Sequence, residues 1–501
     1  MSSLKSDVTD MKSNATNVAM TLQETQKSIK DQFESPLALH YKGITITPGG
    51  FLAAESVYRN HALGADINTP FNSINFPGSG QNAVSEFFYS GRQSRVSMLA
   101  QGKIGDLKMT GYVEADFLSA GVTSNNNQSN SYTMRQRQVW GQVASKDWTF
   151  TGGQMWSLVA ETKKGLDNRS EALPMTIDPQ YTVGFSWARQ AGVRIVRNFN
   201  NRFWLGASIE NPQTTFAAHG NKSNFAFGGA GNGGGLYNST TNYSFNATPD
   251  FVIKAAWEPG FGHWEVFAIG SRFRDRVYPC VEFLAGDPLC TAPGATAVTG
   301  AHVSSVNGGG FGANGRVTIA KHFDFGLHAL EGRGVGRYGT SGLPDATVNP
   351  DGTLAPLRSY QGLATFEVHM PRFDFYMNGG EEYVKRRFAT DPISGSIVGY
   401  GAPTQDVSGC YTETPPGSGN GFGFGGLTGC TADTQSLIEG SVGFWIKVQQ
   451  GPHGRLQFGP QYSYVARDAW AGTFATTPTT YYAKPHGIDN LFLTSFRYYL
   501  P

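Results

Sequence analysis

The chain has 501 residues, 39% hydrophobic and only 15% charged, and it is rich in glycine (64 residues) and aromatics (13%). With 39 Lys and Arg against 38 Asp and Glu it lacks the basic excess of a nucleic-acid binder, and 34 Phe, 21 Tyr and 9 Trp are out of place in a glycine-rich disordered chain. No run of about 18 apolar residues is present, which excludes a helical membrane span; few charges without many aliphatics suit an outer-membrane β-barrel, whose lipid face is thin and whose loops are long.

The first element is an arm. Leu4, Val8, Met11, Ala15, Val18, Leu22, Thr25 and Ile29 recur at alternating steps of four and three, a heptad seam over about four heptads. This predicts an α-helical coiled coil over residues 1–34. A short helix with so narrow a seam is not stable alone, so the arm implies that the protein oligomerises; the other reading is an amphipathic leader. Pro36 stops the helix, residues 35–48 read as an extended linker, and residues 49–501 as the barrel. A barrel of this kind needs a secretory leader. None is visible at residues 1–10, so it is expected to have been removed or to lie outside this sequence.

From Gly49 onward, strands of about 10–14 residues alternate with short and long connections. Short ones fall at Gly105 and Asp106, Lys146 and Asp147, Asn200 and Asn201, 259–262, Lys321 and His322, Pro371 and Arg372, and 450–454. Long ones fall near 61–86, 121–130, 159–188, 212–247, 276–306, 339–357, 389–433 and 469–486. Fifteen joints predict about sixteen antiparallel strands in an all-β transmembrane barrel, with both termini at the short-turn, periplasmic end. No period of similar blades supports a propeller. Alternation within strands agrees: Leu456, Phe458, Tyr462 and Tyr464 oppose Arg455, Gln457, Gln461 and Ser463. Met109, Val113 and Ala115 likewise oppose Thr110, Tyr112, Glu114 and Asp116. The stretch 323–338 shifts phase and reads as a place for a bulge.

The cysteines, Cys280, Cys290, Cys410 and Cys430, lie as two close pairs in Gly/Pro-rich segments. Three connectivities are open to four cysteines. Proximity favours Cys280–Cys290 and Cys410–Cys430, in an oxidising compartment; four free thiols are the other reading. No Cys/His spacing fits zinc, no GxSxG or HExxH motif marks an enzyme, and no cofactor is implied.

Sixteen strands leave a channel rather than a packed core, with selectivity set by charges along its wall. Arg135 and Arg137, Arg92 and Arg95, Arg194, and Arg272, Arg274 and Arg276 recur on polar faces, with Glu114 and Asp116 as balancing carboxylates. A guanidinium keeps its charge and forks onto carboxylates, so such a ladder favours organic anions. The insertion 159–188, with Lys163, Lys164, Asp167 and Arg169, reads as a constriction loop folded into the pore, or else as one more surface loop.

The stretches RQRQVWGQV, TGGQMWSL, PQYTVGFSWARQAGVRI, LGASIENP and TPDFVIKAAWEPGFGHWEVFAIGSRFRD resemble the DcaP-type porins of Gram-negative outer membranes, in that family's order, over residues 94–276. The resemblance implies a homotrimer of sixteen-stranded barrels with a periplasmic coiled coil, passing dicarboxylates and other organic anions. Its motif positions here are Arg135, Arg137, Gln154, Trp156, Arg189, Gln190 and Arg194. The long Gly-rich loop and the cysteine-bearing loops depart from the pattern. The expected partners are two further copies of the chain, outer-membrane lipid and lipopolysaccharide, and small anionic solutes, with no nucleic acid. A structural or adhesive barrel with disulfide-braced loops is the competing class.

Overall fold

The computed structural model describes residues 38–119, 131–212, 214–227, 248–281, 287–417, 423–426, 428–476 and 479–501, together with Val18, Leu22 and Asn246. Sixteen long antiparallel strands close into one barrel. They are β1 (Ile44–Arg59), β2 (Arg95–Ile104), β3 (Leu107–Asp116), β4 (Arg135–Ser145), β5 (Trp148–Trp156), β6 (Arg189–Phe199), β7 (Phe203–Glu210) and β8 (Asp250–Trp257). The second half comprises β9 (His263–Val277), β10 (His302–Ile319), β11 (Phe323–Arg333), β12 (Arg358–His369), β13 (Phe373–Val384), β14 (Thr434–Gly451), β15 (Gly454–Ala469) and β16 (His486–Tyr499). Each pairs with the next, and closure comes from β1 against β16, from Phe51 opposite Tyr499 to Arg59 opposite Leu491. Closure leaves no free sheet edge, which a β-structure in lipid requires.

Tight turns join the strands at one end. Asn200 and Asn201 both have φ 55°, the left-handed pair that a twisted hairpin favours and that Asn tolerates. The long connections cluster at the other end. The side-chain alternation is inverted relative to a soluble protein: Leu52, Phe150, Ile253, Val266, Phe311 and Leu327 point outward and are exposed, Phe311 at 76%. Glu55, Asp116, Arg137, Lys254, Glu265 and Asp489 point inward and are buried.

The long-loop end of the barrel is packed from within. Ile67, Phe71 and Ile74 from the 60–94 connection, Leu343 and Leu357 from 334–357 and Tyr400 from 385–433 meet the inward Val57, Leu437, Val465 and Leu493 in one apolar cluster. Disulfides join Cys280 to Cys290 and Cys410 to Cys430. Cys410 packs with Phe76 and Val407, tying the 385–433 connection to the 60–94 connection.

Two expectations need correcting. Residues 39–48 are not a linker: Leu39–Tyr41 pairs with Ile44–Ile46, so the sheet begins ahead of Gly49. β11 carries no bulge, since its register to β10 and to β12 is unbroken; its outward face turns from apolar to charged at Glu331 and Arg333, which mimics a phase shift. A bulge occurs instead in β4, opposite Glu114 and Ala115. The coiled coil expected over residues 1–34 lies outside the described residues except for Val18 and Leu22.

Candidate functional site

The connection between β5 and β6 runs through the barrel interior and touches the wall on many sides. Backbone polar groups removed from water must find partners, and inward side chains supply them. Six carboxylates accept backbone N–H bonds from this segment. Glu210 takes Leu158 (2.9 Å), Glu265 takes Thr162 (3.2 Å) and Glu258 takes Gly165 (2.7 Å). Glu367 takes Met175 (3.2 Å), Glu439 takes Val183 (2.9 Å) and Glu382 takes Gly184 (2.9 Å). Donors on the wall hold its carbonyls: Lys254 to Ala160 (2.8 Å), Asn378 to Met175 (2.8 Å) and Arg497 to Ile177 (3.3 Å). Gly184, with φ 87°, lies so close to β12 that a Cβ there would sit 2.0 Å from the Gly362 carbonyl oxygen. Trp156, Tyr181 and Phe185 pack together beside it, with ring centroids 4.9–5.9 Å apart. Burial pushes the Asp178 carboxyl above its usual range, against the hydrogen bonds it accepts from Thr69 and Gln180.

Arg135, Arg137, Arg95, Glu114 and Asp116 come together on the inner wall of β2–β4. Arg137 is 1% exposed and reaches Glu114 at 2.6 Å and Asp116 at 2.7 Å. Arg135 lies 2.9 Å from Asp116 and Arg95 3.7 Å from Glu114. The β4 bulge sets Arg137 inward beside Gln138, so one short stretch of strand aims more polar groups at the lumen than strict alternation allows. Arg194 is buried and donates to the Trp156 carbonyl, so it holds the start of the crossing segment. Arg189 lies over the rings of Trp156 (4.9 Å) and Trp187 (4.6 Å). Arg169 stands 4.9 Å from the Tyr112 ring, and Asp167 is exposed beside it on the segment.

Arg272 and Arg274 are not on the lumen. In β9 the inward positions are the odd ones, from His263 to Val277, and the even positions share the outer face with Trp264 and Val266, 38% and 60% exposed. Polarity alone cannot separate a lumen-facing arginine from an outward one above the lipid band, and both follow period two.

Two water-accessible cavities lie between the crossing segment and the short-turn end. One, of 540 Å³, is lined by Arg95, Lys163, Lys447, Arg455 and Arg497 with Glu114, Asp178, Glu367 and Asp374. The other, of 630 Å³, is lined by Lys163, Lys164, Arg202 and Arg316 with Glu258 and Asp324. Lys163 lines both. The carboxylates are engaged by arginines, by Lys447, by histidines or by backbone N–H groups of the segment and of Thr69. Lys163, Lys164, Arg202 and Arg455 make no ion pair among the described residues. Sequence reading put Arg455 on a polar strand face without naming it as a site residue and missed Arg202, Arg316, Lys447 and Arg497; the inward phase of β10, β14 and β16 was the available signal for all of these but Arg202, which lies in the turn between β6 and β7. Asp324, Glu367 and His369 bring donor atoms within 4.8 Å of one another, but Arg316, the Met175 N–H and the histidine itself already take up the two carboxylates.

No protein-family model matches the chain, and no curated protein matches it. Among solved structures, the outer membrane channel DcaP of Acinetobacter baumannii superposes with a TM-score of 0.59 at 12% identity, over 92% of this chain and 99% of that one. The chain has the DcaP fold. More loosely similar are Salmonella typhi OmpF (TM-score 0.46, 9% identity, 92% and 100% covered) and an anion-selective porin from Comamonas acidovorans (0.44, 10%, 91% and 100%).

Proposed function

We propose that the chain is an outer-membrane porin through which small organic anions, dicarboxylates among them, diffuse passively. The observation that carries this is the division of labour among charges in the lumen. The wall carboxylates are consumed in holding the crossing segment or in pairing with arginines, Lys447 and histidines, whereas Lys163, Lys164, Arg202 and Arg455 face the cavities without a carboxylate partner among the described residues. A group of uncommitted cations beside a constriction attracts anions and lets them exchange from site to site. The shared fold with an outer membrane channel agrees with this reading. The crossing segment at 159–188 then serves as the constriction, and a homotrimer tied by the arm at 1–34 is its proposed assembly.

Loops braced by two disulfides at one end of the barrel favour a second reading, a barrel anchor presenting an adhesive surface. Planar-bilayer recording of the purified protein separates the two. Stepwise conductance is expected; a protein that inserts and carries no current would leave only the anchor.

A further inference from the structure

Outside the lumen, the outward faces of β9 and of β11–β13 turn from apolar to charged toward the long-loop end, while β10 between them carries the uncharged Asn307, Ser305 and Val303 opposite the β9 arginines. On β9 the outward face runs Trp264, Val266, Ala268 and Gly270, then Arg272, Arg274 and Arg276. On β11 it runs Phe323, Phe325, Leu327 and Ala329, then Glu331 and Arg333. On β12, Val368, Phe366 and Ala364 lead to Tyr360 and Arg358, and on β13 Phe373, Phe375 and Met377 lead to Glu381, Tyr383 and then Lys385. From His263 to Arg272 an extended strand climbs about 30 Å along its own axis. At the tilt of such barrels that is about 23 Å along the membrane normal, against an apolar band about 25 Å tall. The cations therefore stand at the upper edge of the lipid-facing surface, where an outward Arg or Lys costs about 0–1 kcal/mol rather than the about 2–4 kcal/mol of the midplane.

The register adds a second observation. Arg333 is directly opposite Arg358 across β11–β12. The Lys385 N–H donates to the Arg358 carbonyl at 2.8 Å, so Lys385 stands beside Arg358 on the far side. Three cations thus lie in one row at the strand spacing of about 4.8 Å. Like charges directly opposite one another are unfavourable unless something neutralises them. Glu331 pairs with Arg358, and both stay about half exposed; among the described residues no ion pair reaches Arg333 or Lys385.

We propose that this collar, Arg333, Arg358 and Lys385 with Arg272, Arg274 and Arg276 across the intervening β10, is a docking surface for the phosphate groups of an outer-leaflet saccharolipid, lipopolysaccharide. Its position fits that occupant: acyl chains lie against the apolar face below, and the phosphates that begin the headgroup meet the arginines. A guanidinium gives phosphate two parallel donors, and a row of three cations matches a headgroup bearing more than one phosphate. The proposal is independent of what passes through the lumen.

The test is binding of purified lipopolysaccharide to the full-length protein in detergent, read by native mass spectrometry. Intact lipid is expected to bind at least tenfold more tightly than enzymatically dephosphorylated lipid. The variant R333Q/R358Q/K385Q is expected to lose the same factor with its single-channel conductance unchanged. Equal binding of intact and dephosphorylated lipid by the native protein overturns the proposal, whether or not the variant folds. Binding abolished by chelating divalent cations also overturns it, because it would route recognition through Glu331 and Glu381 instead.

Discussion

At the scale of the residue, the lumen is organised by which charges are committed. Arg137 is the clearest case. It is buried, and it is shared between Glu114 and Asp116, with Arg135 and Arg95 at the outer ends of the same network. Replacing it with alanine leaves two carboxylates facing each other in a partly dry wall, a loss of about 3–5 kcal/mol by comparison with other broken buried pairs. A chemical-denaturation midpoint well below that of the native barrel is the expected outcome for Arg137→Ala, and an unchanged midpoint would mean that water already solvates this cluster. Glu114 and Asp116 were legible from alternation because their strand runs between apolar outward residues; Arg135 and Arg137 share the odd phase of the outward Val139, and it is the β4 bulge, which alternation does not reveal, that brings Arg137 to the lumen. Arg272 and Arg274 were misread for a physical reason: above the lipid band the outer face is polar too, so period two carries no sign. The six glutamates that hold the crossing segment were invisible for another reason, since their partners are backbone groups distant in the chain and leave no side-chain pattern.

At the scale of the element, strand number and the positions of all fifteen connections could be read in advance, because turn chemistry and alternation are local. What the connections do was readable only for 159–188, whose length and charge read as a loop folded into the pore; for the others it was not, since docking depends on shape. The 60–94, 334–357 and 385–433 connections bring Ile67, Phe71, Leu357 and Tyr400 inside the barrel mouth, which composition alone presents as ordinary loop. A contact between the 385–433 connection and the 211–249 connection is expected to respond to pH. His219 and Gly399 exchange backbone hydrogen bonds at 2.9 and 3.0 Å, and the His219 imidazole lies 2.9 Å from Asp433. That hydrogen bond raises the imidazole pKa above its ordinary value, outweighing the partial burial that would lower it. The pKa is higher in the docked state, so the contribution is fully present below about pH 6.5, the undocked value, and is lost as pH rises through the raised value. Amide exchange at His219 and Gly399, corrected for intrinsic rate, is expected to be slower at pH 6 than at pH 8, and His219→Gln to abolish the difference. Identical protection at both pH values in the native protein would show that the pair does not hold the connections together.

At the scale of the whole molecule, the barrel is a container whose apolar surface is outside and whose inner polar groups are spent on a segment threaded through it. The proposed assembly rests on the arm. If residues 1–34 form a coiled coil, deleting them removes a partner-dependent helix, and the oligomer should dissociate at a lower temperature on native gels while each barrel stays folded. Oligomers equally resistant to heat would place the assembly contacts on the barrel wall.

The central claim, that uncommitted cations beside the crossing segment set the channel's preference, is tested most directly by the reversal potential in a salt gradient. The native protein is expected to give a potential of anion-selective sign, and Lys163→Glu with Lys164→Glu to move it toward or past zero without loss of conductance. A cation-selective native potential, or a native anion selectivity that the two substitutions leave unchanged, would contradict the claim.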